Sequence, residues 1–140
     1  MTEQRRKCIC IDMDETFVVS YSFYTGRIVL VKDAAEMIDR FRTLAHSKGY
    51  LFVVLSKCPY VVTVCEVACL KPMFDDIVCT AAYRSKVRAL DAAGYDTANS
   101  WLIDDAIQNV HEFEKCCAGG IRVLDYDLRS AYEELVKRLK

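Results

Sequence analysis

The chain has 140 residues, 53% of them hydrophobic, and a formal net charge of −1. That length suits one domain, residues 1–140, able to bury roughly two-thirds of the surface its unfolded chain exposes without help from a metal or a disulfide. The near-zero charge gives no support to bulk electrostatic binding of nucleic acid, and no run approaches the roughly 18 apolar residues of a membrane span.

Residues 1–7 read as a polar arm that is unlike a secretory signal, since the apolar run after it is broken at Asp12. The expectation is a soluble intracellular protein, cytoplasmic or nuclear, with no membrane partner. KCICIDM then reads as a strand apolar on both faces, as in the middle of a parallel sheet. Residues 17–31 read as a hairpin turning at Thr25-Gly26. From Asp33 to Lys48 the apolar residues Ala34, Met37, Ile38, Phe41, Leu44 and Ala45 recur at helical spacing, with Asp33 and Glu36 as a capping box and Gly49 as the stop.

YLFVVLS is a second buried strand, and Pro59 opens a helix that ends at Lys71-Pro72. DIVCT, WLI and IRVLDY supply three more strands. The helices between them run from Ser85 to Ala93 and from Ala106 to Cys116, the latter broken by Gly119-Gly120, and Leu128 to Leu139 forms the last helix. Eight cysteines lack any Cys-x-x-Cys pair, so they read as small apolar fillers rather than zinc ligands.

Strands alternating with helices predict a three-layer α/β domain, a mostly parallel five-stranded sheet with helices on both faces and a hairpin flap after the first strand. Ligands in such sheets bind beyond the carboxyl ends of the strands. Asp12 and Asp14 end the first strand, Ser56 ends the second, and Asp104-Asp105 ends the fourth. Lys86 opens the helix after the third. Clustered carboxylates repel unless a cation shares the site or one of them stays protonated, and an all-oxygen set suits Mg²⁺. Beside it a carboxylate can attack phosphorus, a second acid can move the proton, and a hydroxyl and an ammonium can hold phosphoryl oxygens.

These motifs resemble those of the haloacid dehalogenase (HAD) superfamily of phosphotransferases: IDMDET for the first, VVLS for the second, Lys86 for the third and WLIDD for the fourth, in the family's order over residues 8–110. The resemblance implies Asp12 as nucleophile and Asp14 as general acid/base, with the Asp14 backbone carbonyl on Mg²⁺. It implies Asp12 and Asp104 as direct metal ligands, Asp105 outside them, and Ser56 and Lys86 as phosphate binders. Lys71, the rival lysine, lies before Pro72 and is expected on the opposite edge. Neither interval between motifs has room for a cap domain; in the family, an open, capless site often goes with a macromolecular substrate or with oligomers that cover the site. Asp-x-Asp-Glu-Thr followed by an apolar hairpin looks most like the FCP/SCP branch of RNA polymerase II C-terminal-domain phosphatases. The departures are Asp105 where that branch has Asn, and the residues around Ser56.

The function implied is a Mg²⁺-dependent phosphatase working through an aspartyl phosphate on a macromolecule such as a phosphoprotein. The alternatives are a small-molecule, nucleotide or nucleic-acid-end phosphatase of the same superfamily, or a silent interaction module. A receiver domain places its lysine last, which does not match this order. Tyr21, Phe23 and Tyr24 can line the mouth of the site or simply pack on the core.

Overall fold

The structure, a computed structural model, describes residues 4–140, so residues 1–3 of the expected arm lie outside it. The elements in chain order are β1 (Cys8–Ile11), the hairpin strands β2 (Val18–Ser22) and β3 (Arg27–Leu30), α1 (Ala34–Ser47), β4 (Leu51–Ser56), α2 (Val61–Val67), β5 (Asp76–Cys79), α3 (Lys86–Ala92), β6 (Trp101–Asp104), α4 (Ile107–Cys116), β7 (Gly119–Arg122) and α5 (Leu128–Arg138).

All four residues of β1 are apolar and fully buried. Such a strand gains most at the centre of a sheet covered on both sides, and the order is β5-β4-β1-β6-β7 with every pairing parallel. Ile9 and Ile11 face the core shared with α1, α2 and α5, while Cys8 and Cys10 face the smaller core under α3 and α4. Burying each isoleucine contributes about 1.5–3 kcal/mol. The chain lays down β1, β4 and β5 in one direction, then returns across β1 to add β6 and β7 on its other side. That reversal opens a crevice between the carboxyl ends of β1 and β6.

Among the described residues, the β1–β4 interval holds only the hairpin and α1. The interval from β4 to α3 holds only α2, a short 3-10 turn and β5, so neither carries a further folded unit. No described helix is long and apolar enough to cross a membrane.

Several local expectations need correction. Asp33 adopts left-handed geometry (φ 60°) and its side chain caps nothing, so the capping box with Glu36 does not form; its carbonyl accepts from the Met37 N–H instead. The helix expected from Pro59 is shorter, with α2 starting at Val61. Gly119-Gly120 does not break the chain but begins β7, while Asp125 and Tyr126, expected in the strand, form a left-handed turn. A Cβ on Gly119 would lie 2.5 Å from the Trp101 ring, and one on Gly120 2.7 Å from the Val110 carbonyl oxygen. Both positions need glycine for close approach rather than for a turn. The filler reading of the cysteines holds for Cys8, Cys10, Cys58 and Cys65; Cys69, Cys79 and Cys116 are exposed and Cys117 is half-buried.

Candidate active site

The Asp12 N–H donates to the Ile103 carbonyl at 2.9 Å, which extends the β1–β6 ladder by one residue and holds Asp12 beside the end of β6. There β6 delivers Asp104, fully buried. Across from them the Ser85 hydroxyl caps α3 by accepting from the Arg88 N–H, which fixes Lys86 at the helix start. Lys86 is 2% exposed. Its Nζ lies 2.7 Å from Asp12 Oδ1, 2.9 Å from Asp104 Oδ2 and 2.9 Å from the Leu55 carbonyl oxygen. An ammonium has three protons, and each has an acceptor, one from the end of each of β1, β4 and β6.

The electrostatics are lopsided. Burial alone would lower the Lys86 pKa, but Asp12 and Asp104 more than reverse this and raise it, so the ammonium stays charged. One ammonium does not satisfy two buried carboxylates. Burial pushes Asp12 up to about 8, Asp104 adds to this, and Lys86 only opposes it. Asp105 brings a third acid: carboxylate oxygens of Asp12, Asp104 and Asp105 lie within 4.8 Å of one another. Three carboxylates against one buried cation leave an unmet demand for positive charge. The donors are all oxygen, so Mg²⁺ fits both the charge and the chemistry.

Asp14 sits half-buried where the chain turns into the hairpin, next to Glu15 in left-handed geometry (φ 63°). Burial raises its pKa, with Glu15 and Asp105 adding and Lys86 opposing. That favours the protonated carboxyl a general acid needs. Ser56 ends β4 at the same edge and is 1% exposed; its Oγ accepts from the Cys58 N–H at 3.1 Å and bonds none of the acids. Lys71 is exposed and pairs with Glu66 at 3.3 Å.

Two positioning residues were missed by sequence reasoning. Thr16, fully buried, has its Oγ1 3.2 Å from Asp12 Oδ2 and 3.3 Å from Asp105 Oδ1, so its single hydroxyl proton can be donated to either acid. It was visible as part of the first motif, without a role. Asn109 donates through Nδ2 to Asp104 Oδ2 at 3.0 Å, while the Ala106 N–H donates to Oδ1 at 2.9 Å. Its signal was its place one turn into α4, just beyond the paired acids.

No family model matches the sequence, and no curated protein matches it either. Solved structures do. The chain is similar to a HAD-superfamily hydrolase from Ehrlichia chaffeensis, with TM-score 0.64 and 10% identity over 99% of this chain and 100% of that one. It is similar to the HAD domain of the effector protein Lem4 from Legionella pneumophila, with TM-score 0.61 and 12% identity over 97% of each chain. An uncharacterized protein from Corynebacterium glutamicum gives TM-score 0.66 and 16% identity over 95% of this chain and 94% of that one. At such identities the likeness is one of fold: this is a HAD-like α/β domain along its length.

Proposed function

We propose, on the premise of that fold and this site, that the protein is a Mg²⁺-dependent phosphomonoesterase working through an aspartyl phosphate on Asp12. Its substrate is an ester carried by a macromolecule, with phosphoproteins the class expected from the sequence. The observation that carries the reading is the buried Lys86 ammonium held between Asp12 and Asp104, with Asp105 beside them. Asp12-Met13-Asp14-Glu15-Thr16 and the hairpin after it support kinship with the FCP/SCP phosphatases, from which Asp105 departs.

Asp12, Asp104 and the Asp14 backbone carbonyl would hold Mg²⁺, with Asp105 outside them; when bound, the ion supplies positive charge to the acids and to phosphoryl oxygens. Lys86 favours the ionised form of Asp12, whose carboxylate oxygen attacks phosphorus. As that O–P bond forms, the ester P–O bond breaks, and the Asp14 carboxyl gives its proton to the departing alkoxide. Water then attacks the same phosphorus while Asp14 takes a proton from it. The Asp12–phosphorus bond breaks, and inorganic phosphate leaves. Lys86 and the Ser56 hydroxyl hold phosphoryl oxygens through both halves.

Hydrolysis of a generic aryl phosphate, with Mg²⁺ and with excess chelator, tests this alongside Asp12→Asn. Metal-dependent turnover that disappears in the variant is the expected result. If no ester is turned over and beryllofluoride with Mg²⁺ fails to bind, the enzyme reading falls and a silent interaction module takes its place.

A further inference from the structure

We propose that the ester is the terminal phosphate of a single-stranded nucleic acid, whose adjoining nucleotides lie on the hairpin side of the mouth; this rests on the phosphatase reading above. Three segments form that side: the hairpin (residues 17–31), the β4–α2 loop (57–60), which meets it through Phe23 and Tyr60, and the β5–α3 loop (80–85), whose Thr80 N–H donates to the Ser56 carbonyl. None of them contains Asp or Glu, and Arg27, Lys57 and Arg84 are all exposed. Over the whole chain, acids and bases balance at 20 and 19. The exposed acids around the mouth belong to the other side: Glu15 in the β1–β2 loop, and Asp33, Asp125 and Asp127, which line one cavity together with Lys32.

The same three segments display flat rings. Phe23 is 60% exposed, Tyr60 56%, Tyr83 45%, and Tyr24 is wholly exposed. Phe23 packs edge-on between Tyr21, at 5.3 Å between centroids, and Tyr60, at 4.9 Å, which steadies Phe23 and Tyr60 with much of their surface open. A thread of contacts runs from this shelf to the phosphate site: the Tyr21 hydroxyl lies 3.1 Å from Cys58 Sγ, and the Cys58 N–H donates to Ser56 Oγ at 3.1 Å. The shelf therefore begins within a few residues of the group assigned to the phosphate.

Exposed flat rings together with exposed cations match a strand that alternates flat bases with phosphates. A phosphopeptide could also use the rings, but only a polyanion requires its path to be free of carboxylates.

The test measures binding of an unphosphorylated oligothymidylate by anisotropy with Mg²⁺ across a salt series. It also measures phosphate release from 3′- and 5′-phosphorylated forms of the same strand and from phosphoserine and phosphotyrosine peptides. The inference expects salt-sensitive binding and release from a phosphorylated strand. Phe23→Ala and Tyr60→Ala should each weaken binding about tenfold, and Lys57→Gln should flatten the log–log salt slope by about 0.7. Release from a small alkyl phosphate should be unchanged in all three. Release from peptides with no binding of the strand overturns the inference and leaves the phosphatase. Strand binding indifferent to both ring substitutions also overturns it. Ring-dependent strand binding with no release from any ester sustains strand recognition and sinks the phosphatase. Neither binding nor release sinks both.

Discussion

Asp75, just before β5 at the amino edge of the sheet, and Asp12, just after β1 at the carboxyl edge, are the same side chain in opposite circumstances. Asp75 Oδ2 accepts from the Phe52 N–H at 2.7 Å and lies 2.7 Å from His46 Nε2. Burial pushes its pKa up, but His46 and the Phe52 N–H outweigh that and leave it below the ordinary carboxylate value. Asp12 has one ammonium, shared with Asp104, and ends up at about 8. The amino edge gives its acid partners that favour the charge. The carboxyl edge gathers acids that the fold itself does not satisfy, and a site built that way is completed by what binds there.

The sharpest way to break this contrast is Asp12→Asn, which should lower phosphate release by about 10⁴-fold or more while the circular dichroism spectrum stays that of the folded protein. Release that survives the change would mean the crowded acid is no nucleophile. Lys86→Met comes next. It leaves Asp12 and Asp104 buried without their shared cation, and urea unfolding should show a loss of about 3–5 kcal/mol, partly restored by added Mg²⁺. A variant as stable as the parent would show that the acids are less crowded than their distances imply.

Asp75→Asn probes the opposite edge. The folded pKa of Asp75 is lowered, so between that value and the unfolded one, near 4, the unfolded chain holds more protons and stability rises with pH. Its contribution is fully present above that window and lost as pH falls through the folded value. Unfolding free energies from urea titration should therefore differ by about 1 kcal/mol at neutral pH, and the difference should shrink as pH falls through the folded value. The smallest effect belongs to the rim. Phe23→Ala and Tyr60→Ala should change stability by no more than about 0.5 kcal/mol, because both rings are more exposed than buried. A larger loss in thermal melts would make them core residues rather than a shelf.

The strands and the five acidic or cationic positions were legible because apolar runs and polar residues at element ends are local signals. Three features were not. Gly119-Gly120 reads as a breaker, since a sequence shows that glycine is permissive but not that Trp101 and Val110 crowd it. Asn109 reads as an ordinary helical residue until β6 and α4 are placed together. The charge division of the mouth was hidden because net charge sums over a surface that the fold sorts into sides. For Tyr21, Phe23 and Tyr24 the sequence left mouth and core open; Phe23 and Tyr24 face solvent, while Tyr21 is half-buried.

The central position of β1 also bears on how the chain is made. Its two neighbours, residues 51–56 and 101–104, both emerge from the ribosome after it. Until synthesis passes Asp104, one edge of a fully apolar strand has no partner, and Lys86 has only one of its two acids. Parallel pairing across such separations is slow to form and leaves unpaired strand edges open to aggregation. A chain cut short before β6 would thus carry the first three motifs, yet be a candidate for chaperones rather than for chemistry.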